Sequence, residues 1–193
     1  MIVTATELHG AYIVDLNRLE DERGFFARAW CRDELEEHGL NPEIRQINLS
    51  FSRRRGTLRG LHYQREPDAE VKLIRCVRGG VYDVIADLRA ESPTYGAWFG
   101  IELTAENRRA LYIPKGCAHG LQTLEDDTEV IYQVSASYAP ASEGGIRFDD
   151  PYFGIEWPLA VTEISEKDSS WPDYGAAQPK ASRAGDQREG AGE

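Results

Sequence analysis

From Ile44 to Ala136 the chain is cut into short runs rich in β-branched and aromatic side chains, most of them closed by glycine, proline or an acidic pair. Ile44 to Phe51, Leu58 to Gln64, Val71 to Val77, Val81 to Arg89, Ala97 to Leu103, Leu111 to Ile113, Leu121 to Leu124 and Glu129 to Ala136 all read as strands. Turns fall at Arg53–Gly56, Arg78–Gly80, Pro114–Gly116 and Asp126-Asp127, and Arg78-Gly79-Gly80 carries a hairpin signal. So many short strands in succession, with hardly any helix, leave a sandwich or a barrel. Ahead of them, Ile2 to Asn17 reads as strand, turn, strand, and Asp21 to Gly24 as a turn leading into Phe25-Phe26. The best helical stretch is Arg32 to His38, stopped by Gly39; being short and mostly polar, it is expected on the surface. Gly144 to Pro158 is loop-rich, and from Ala176 apolar periodicity stops. One domain over residues 1–175 and a disordered tail over 176–193 are therefore expected.

Charge and cysteine usage remove several function classes. The net charge of −11 argues against a nucleic-acid or membrane-surface partner, although local arginines can still hold a phosphate. Cys31, Cys76 and Cys117 lack metal or redox spacing, and an odd, scattered set fits a reducing cytosol. No signal peptide is visible at the N-terminus and no apolar run reaches the ~20 residues of a membrane helix. A cytoplasmic location is expected.

The stretch Gly56 to Gln64 concentrates chemistry. Strict alternation puts Leu58, Gly60, His62 and Gln64 on one face and Arg59, Leu61 and Tyr63 on the other. A histidine on the Leu58 face sits in a core or a cavity. Elsewhere, Lys72 shares strand parity with Ile74 and Cys76, His119 lies in a glycine-framed turn between strands, and Tyr132 shares a face with Val130 and Val134. Asp168 lies in a polar segment near the end. Each has an ordinary structural reading: core histidine, snorkelling edge lysine, core tyrosine, surface carboxylate. His9 and His38 are expected in solvent.

Taken together these types suit some chemistries and not others. A metal centre wants three protein ligands or more; His62 has no His-x-His partner and no carboxylate completes a set, so no metal is expected. A nucleophile elbow is lacking, and the spacing of Cys117 and His119 does not establish hydrogen-bond geometry. Proton abstraction beside a carbonyl needs a base, an acid on the other face and a donor for the enolate oxygen. His62, Tyr132, Lys72 and Asp168 supply these roles by type, with Asp168 as the carboxylate that orients a histidine base.

The motifs Asp21-Glu-Arg-Gly-Phe-Phe26, Leu58-Arg-Gly-Leu-His-Tyr-Gln64, Tyr82-Asp-Val-Ile-Ala-Asp-Leu-Arg89, Ser92-Pro-Thr-Tyr-Gly96, Ile113-Pro-Lys-Gly-Cys-Ala-His-Gly120 and Ser165-Glu-Lys-Asp168, in this order, resemble the dTDP-4-dehydrorhamnose 3,5-epimerase family. The resemblance spans roughly residues 2 to 175. It implies an all-β, cupin-type antiparallel jelly-roll barrel with a few short peripheral helices, a homodimer, and no metal or organic cofactor. The implied activity is epimerisation of a nucleotide-linked 4-keto-6-deoxy-hexose, most simply dTDP-linked, in deoxysugar and polysaccharide biosynthesis. Within the family, a single-carbon epimerase or one acting on a CDP- or GDP-sugar stands as the alternative; a non-catalytic sugar-nucleotide-binding cupin and a metal-dependent cupin enzyme stand outside it.

Residue by residue, the resemblance makes His62 the base, Asp168 its paired carboxylate, Tyr132 the proton donor and Lys72 and His119 contacts near the reacting sugar. Arg23 and Arg59 match arginines on the diphosphate. Phe26, Gln46, Asn48, Glu143 and Lys167 match further substrate-binding positions, as does Arg28, which stands where the family commonly has glutamate. Ile47 and Gln133 replace a common aspartate and lysine. Because alternation sets Arg59 opposite His62, either Gly60 marks a bulge or Arg59 serves a neighbouring subunit.

Overall fold

Alternation along each strand sorts apolar side chains onto faces, and the computed structural model, which describes residues 1–177, shows where those faces meet. In chain order the strands are β1 (Ile2–Ala5), β2 (Tyr12–Asp15), β3 (Arg18–Asp21), β4 (Gly24–Ala27), β5 (Gln46–Ser52), β6 (Leu58–Gln64) and β7 (Lys72–Arg78). They continue with β8 (Gly80–Asp87), β9 (Trp98–Thr104), β10 (Ala110–Ile113), β11 (Cys117–Thr123), β12 (Thr128–Val134) and β13 (Glu143–Gly145). Helices are α1 (Arg32–Glu37), α2 (Glu166–Ser169) and α3 (Tyr174–Ala177). The order β1-β2-β10-β7-β12-β5 makes one sheet and β13-β6-β11-β8-β9 the other, with β3-β4 as a separate hairpin. All the strand ladders are antiparallel. Two facing antiparallel sheets with peripheral short helices are the jelly roll that the resemblance implied.

Between the sheets lie Ile74, Cys76, Leu111, Ile113 and Val130 from one and Val81, Ile85, Leu103, Cys117 and Leu121 from the other. Each fully buried aliphatic side chain of this kind contributes about 1.5–3 kcal/mol. A second cluster covers the outer face of the first sheet: Val14, Leu73, Ala110 and Tyr112 pack against Leu35 and Leu40. The helix α1, expected as a polar surface element, is thus anchored by Leu35, which is 1% exposed. The outer face of the second sheet, with Leu61, Val84, Ala86 and Ala118, is covered by Ile146, Phe153, Trp157 and Tyr174 of the C-terminal segment.

Two local readings are corrected. Arg78-Gly79-Gly80 does not close a hairpin, because β7 and β8 belong to different sheets. Gly79, at φ +69°, turns the chain from one layer to the other; a tight turn looks alike in sequence whether its arms pair or part. His119 lies within β11 and not in a turn. At the end of the chain, α3 runs to Ala177, past the expected start of the tail; residues 178–193 of that tail lie outside the described residues.

Candidate active site

The face that His62 presents depends on Gly60. The register of β6 on β11 pairs His62 with His119 and Arg59 with Leu121, and shifts between them. Gly60 has φ +101°, and a Cβ there would lie 2.5 Å from the carbonyl oxygen of His119. Only glycine fits such a bulge. The extra residue reverses the alternation, so Arg59 and His62 line one cavity while Leu61 turns outward. Strict alternation alone sets Arg59 and His62 apart; of the two ways left open for them to meet, the structure shows the bulge at Gly60.

Asp168 reaches this strand through the C-terminal segment. Leu58 N–H donates to the Glu163 carbonyl and Thr162 N–H to that of Gly56, laying residues 162–163 along the start of β6. Ser165 then caps α2, its hydroxyl accepting from Asp168 N–H. Asp168, whose ordinary reading was a surface carboxylate, is 4% exposed. Its Oδ1 lies 2.6 Å from His62 Nε2, and its Oδ2 accepts from Gly60 N–H at 3.1 Å. Burial works to raise the Asp168 pKa, but the hydrogen bonds from His62 and Gly60 outweigh it and hold the group below its ordinary value. An ionised carboxylate only accepts, so Nε2 carries the ring proton and the Nδ1 lone pair is the basic site.

The other sheet supplies the opposite wall. Tyr132 on β12 pairs in register with Ile74 of β7 and Asn48 of β5, and Val134 pairs with Lys72. Tyr132, Lys72, His62 and His119 line a cavity of about 920 Å³, together with Arg59, Lys167 and Asp168. Burial raises the Tyr132 phenol pKa, with the Glu70 carboxylate adding to it and Arg59 opposing it, so the phenol keeps its proton at neutral pH. Lys72 points inward, its side chain 12% exposed and paired with Glu70 at 3.2 Å. Layers packed about 10 Å apart leave room for a sugar ring between a histidine from one and a tyrosine from the other.

Polar groups continue from these residues to the mouth. His119 Nε2 lies 2.8 Å from Oδ1 of the fully buried Asp83, a second histidine–carboxylate pair beside the first. Arg59 is tied to the end of β5 by Ser52 Oγ at 3.0 Å and the Phe51 carbonyl at 2.9 Å. A side chamber of about 370 Å³ shares His62, Lys72 and Tyr132 and adds Gln46, Asn48, Glu70 and Glu143. Glu143 accepts from Lys167 Nζ at 2.5 Å and from Tyr138 at 2.9 Å.

Ten of the expected site residues therefore converge: His62, Tyr132, Asp168, Lys72, Gln46, Asn48, Arg59, His119, Glu143 and Lys167. Arg23, Phe26 and Arg28 do not line this cavity. They sit on or beside the β3–β4 hairpin, where Arg23 pairs with Asp21, Phe26 is 69% exposed and Arg28 pairs with Glu34 at 2.6 Å. Glu70 and Asp83 were not anticipated. Glu70 stands two residues before Lys72, the spacing that shares a strand face, and Asp83 is a carboxylate flanked by apolar residues in the middle of β8. Among the described residues no group of three or more His, Cys, Asp or Glu is arranged to hold a metal ion. Burial pushes the Cys117 thiol up to about 12, which leaves it a poor nucleophile.

Comparisons with known proteins agree with this fold. The family model described as dTDP-4-dehydrorhamnose 3,5-epimerase matches residues 5–175. A dTDP-4-dehydrorhamnose 3,5-epimerase from Salmonella typhimurium is 44% identical over 174 residues, covering 89% of this chain and 94% of the relative. The crystal structure of the Elizabethkingia anophelis enzyme of that name superposes with a TM-score of 0.88 at 38% identity, covering 92% of this chain and 98% of that one. A dTDP-6-deoxy-D-glucose-3,5-epimerase from Legionella pneumophila, in complex with dTDP-4-keto-L-rhamnose, gives 0.82 at 38% identity, covering 88% and 90%.

Proposed function

This chain belongs to the dTDP-4-dehydrorhamnose 3,5-epimerase family, and from that premise we propose that its cavity converts dTDP-4-dehydro-6-deoxy-D-glucose to dTDP-4-dehydro-L-rhamnose, with no metal or organic cofactor. The observation that carries the reading is the placement of base and acid on facing sheets. His62, oriented by Asp168, comes from one sheet and Tyr132 from the other, with both side chains lining one cavity.

In each half-reaction His62 Nδ1 takes the proton from a carbon beside the ketone. The C–H pair becomes the enolate double bond and the carbonyl π pair moves onto oxygen. Lys72 donates to that oxygen, and His119, held by Asp83, stands to do the same. Tyr132 delivers a proton to the opposite face, the enolate collapses to the ketone, the His62 imidazolium gives its proton to solvent, and solvent reprotonates the phenolate. Repetition at the second flanking carbon completes the product. Asp168 stabilises the imidazolium formed in between. Arg59 meets the diphosphate, while Gln46, Asn48, Glu143 and Lys167 hold the remainder of the substrate.

The active species on this reading is a homodimer in the cytoplasm. Ile47, Leu49 and Phe51 are 57%, 65% and 43% exposed on β5, the edge strand of its sheet. An apolar edge of this kind invites a partner, and the β3–β4 hairpin of a second copy would bring Arg23, Phe26 and Arg28 to the mouth. Among the described residues no helix is long and apolar enough to cross a membrane, and all three cysteines are free.

Incubation with dTDP-4-keto-6-deoxyglucose in deuterated water tests the reaction. NMR should show deuterium at both carbons flanking the ketone. Label at only one carbon would make the chain a single-carbon epimerase, and binding without label would make it a non-catalytic sugar-nucleotide protein.

A further inference from the structure

Glu70 stands just ahead of β7 and has no part in the steps above. Its Oε1 lies 3.2 Å from Lys72 Nζ, with the two side chains 11% and 12% exposed. Its other oxygen has Gln64 Nε2 at 3.5 Å, the outer limit of a hydrogen bond. The same carboxylate lines the chamber shared by His62 and Tyr132. Two charges withdrawn from water in this way are costly to fold unless something is gained by their pairing.

We propose that Glu70 is a positioning residue for the epimerisation: its carboxylate, at ion-pair distance, fixes the Lys72 ammonium where the enolate oxygen forms, in the chamber it shares with Tyr132. The inference rests on the reaction proposed above. An ammonium on a flexible four-carbon stem can occupy many positions. A carboxylate at ion-pair distance restricts it to one. The same negative charge opposes ionisation of the neighbouring phenol, in addition to the larger effect of burial. One carboxylate thus places the enolate's partner and adds its negative charge beside the proton donor.

Other charged groups face the pair from each element around it. From β6 and α2 come Arg59 and the His62–Asp168 pair, and from β11 and β8 the His119–Asp83 pair. Glu143, Lys167 and Tyr138 stand at the mouth. Each of these acids pairs with another base, so Glu70 is the closest counter-charge to Lys72 among the described residues.

Glu70→Gln keeps the shape and removes the charge. Ultraviolet difference titration against Tyr132→Phe, in each background, reads the Tyr132 phenol without substrate. Its midpoint should fall in Glu70→Gln, and the basic limb of the kcat–pH profile should move down with it. KM should stay near wild type while kcat falls, since the affected groups act on the transition state. If Glu70→Gln does not fold, Glu70→Asp decides: the retained charge should hold the phenol midpoint while the shorter reach lowers kcat by about tenfold. A folded Glu70→Gln with the wild-type midpoint and basic limb overturns the proposal, as does a Glu70→Asp enzyme with wild-type kcat. Absence of deuterium uptake by the wild type would instead defeat the functional reading, and the phenol titration would still decide what Glu70 does.

Discussion

Removing the hydroxyl of Tyr132 distinguishes a catalytic phenol from a packing one. A tyrosine that merely fills space beside Val130 would lose about 1 kcal/mol of stability and little activity in Tyr132→Phe. As the acid, it separates two observables. His62 can still remove a proton and return it to the same face, so solvent exchange should survive while inversion falls by about 10²–10⁴-fold. His62→Ala should abolish both. Asp168→Asn should slow both, because an amide in place of the carboxylate that pairs with Nε2 misorients the ring and no longer stabilises the imidazolium. Exchange and inversion measured side by side by NMR check all three variants.

At the scale of the element, the bulge in β6 and the end of β8 carry separate consequences. Gly60→Ala introduces a Cβ at φ +101°, 2.5 Å from backbone of β11. The strand must shift, so a loss of about 3 kcal/mol or more is expected, with Arg59 and His62 no longer sharing a face. Thermal melting, with activity measured well below the melting temperature, separates the two effects. Asp87, fully buried at the end of β8, accepts from Arg89, Ser92 and Thr94. Burial acts to raise its pKa, yet these donors win and hold it at about 2. A depressed carboxylate pKa stabilises the fold above the ordinary value of 3.8, and the contribution is lost as pH falls from there through about 2. Asp87→Asn should therefore melt lower at neutral pH, with the gap to wild type closing across that acidic window.

For the whole molecule, the test of a shared site is complementation. Arg23→Ala and His62→Ala should each be inactive alone. If the hairpin of one copy serves the cavity of the other, unfolding and refolding the two together yields mixed dimers with one complete site. Activity should return to about a quarter of wild type for random pairing. No recovery in mixed dimers, verified by a tag on each variant, would place Arg23 outside the site or in its own chain's cavity.

The all-β architecture was legible in the sequence because strand alternation and turn chemistry are local. The candidate acid–base residues were legible by type, and the order of the motifs by resemblance. What local pattern does not contain is partnership. Arg78-Gly79-Gly80 reads the same whether its arms pair or enter different sheets, and only the packing of layers decided for the latter. Alternation misplaced Arg59 because one glycine, pressed against β11, adds a residue to the strand and inverts the faces beyond it. Asp168 lies 106 residues from His62, and its role as partner appears only when residues 162–163 lie along β6 and α2 turns the carboxylate inward. Glu70 and Asp83 look like ordinary polar residues in sequence. Burial beside Lys72 and His119 gives their charges consequence, since the strength of an ionic interaction depends on the surroundings that the fold creates.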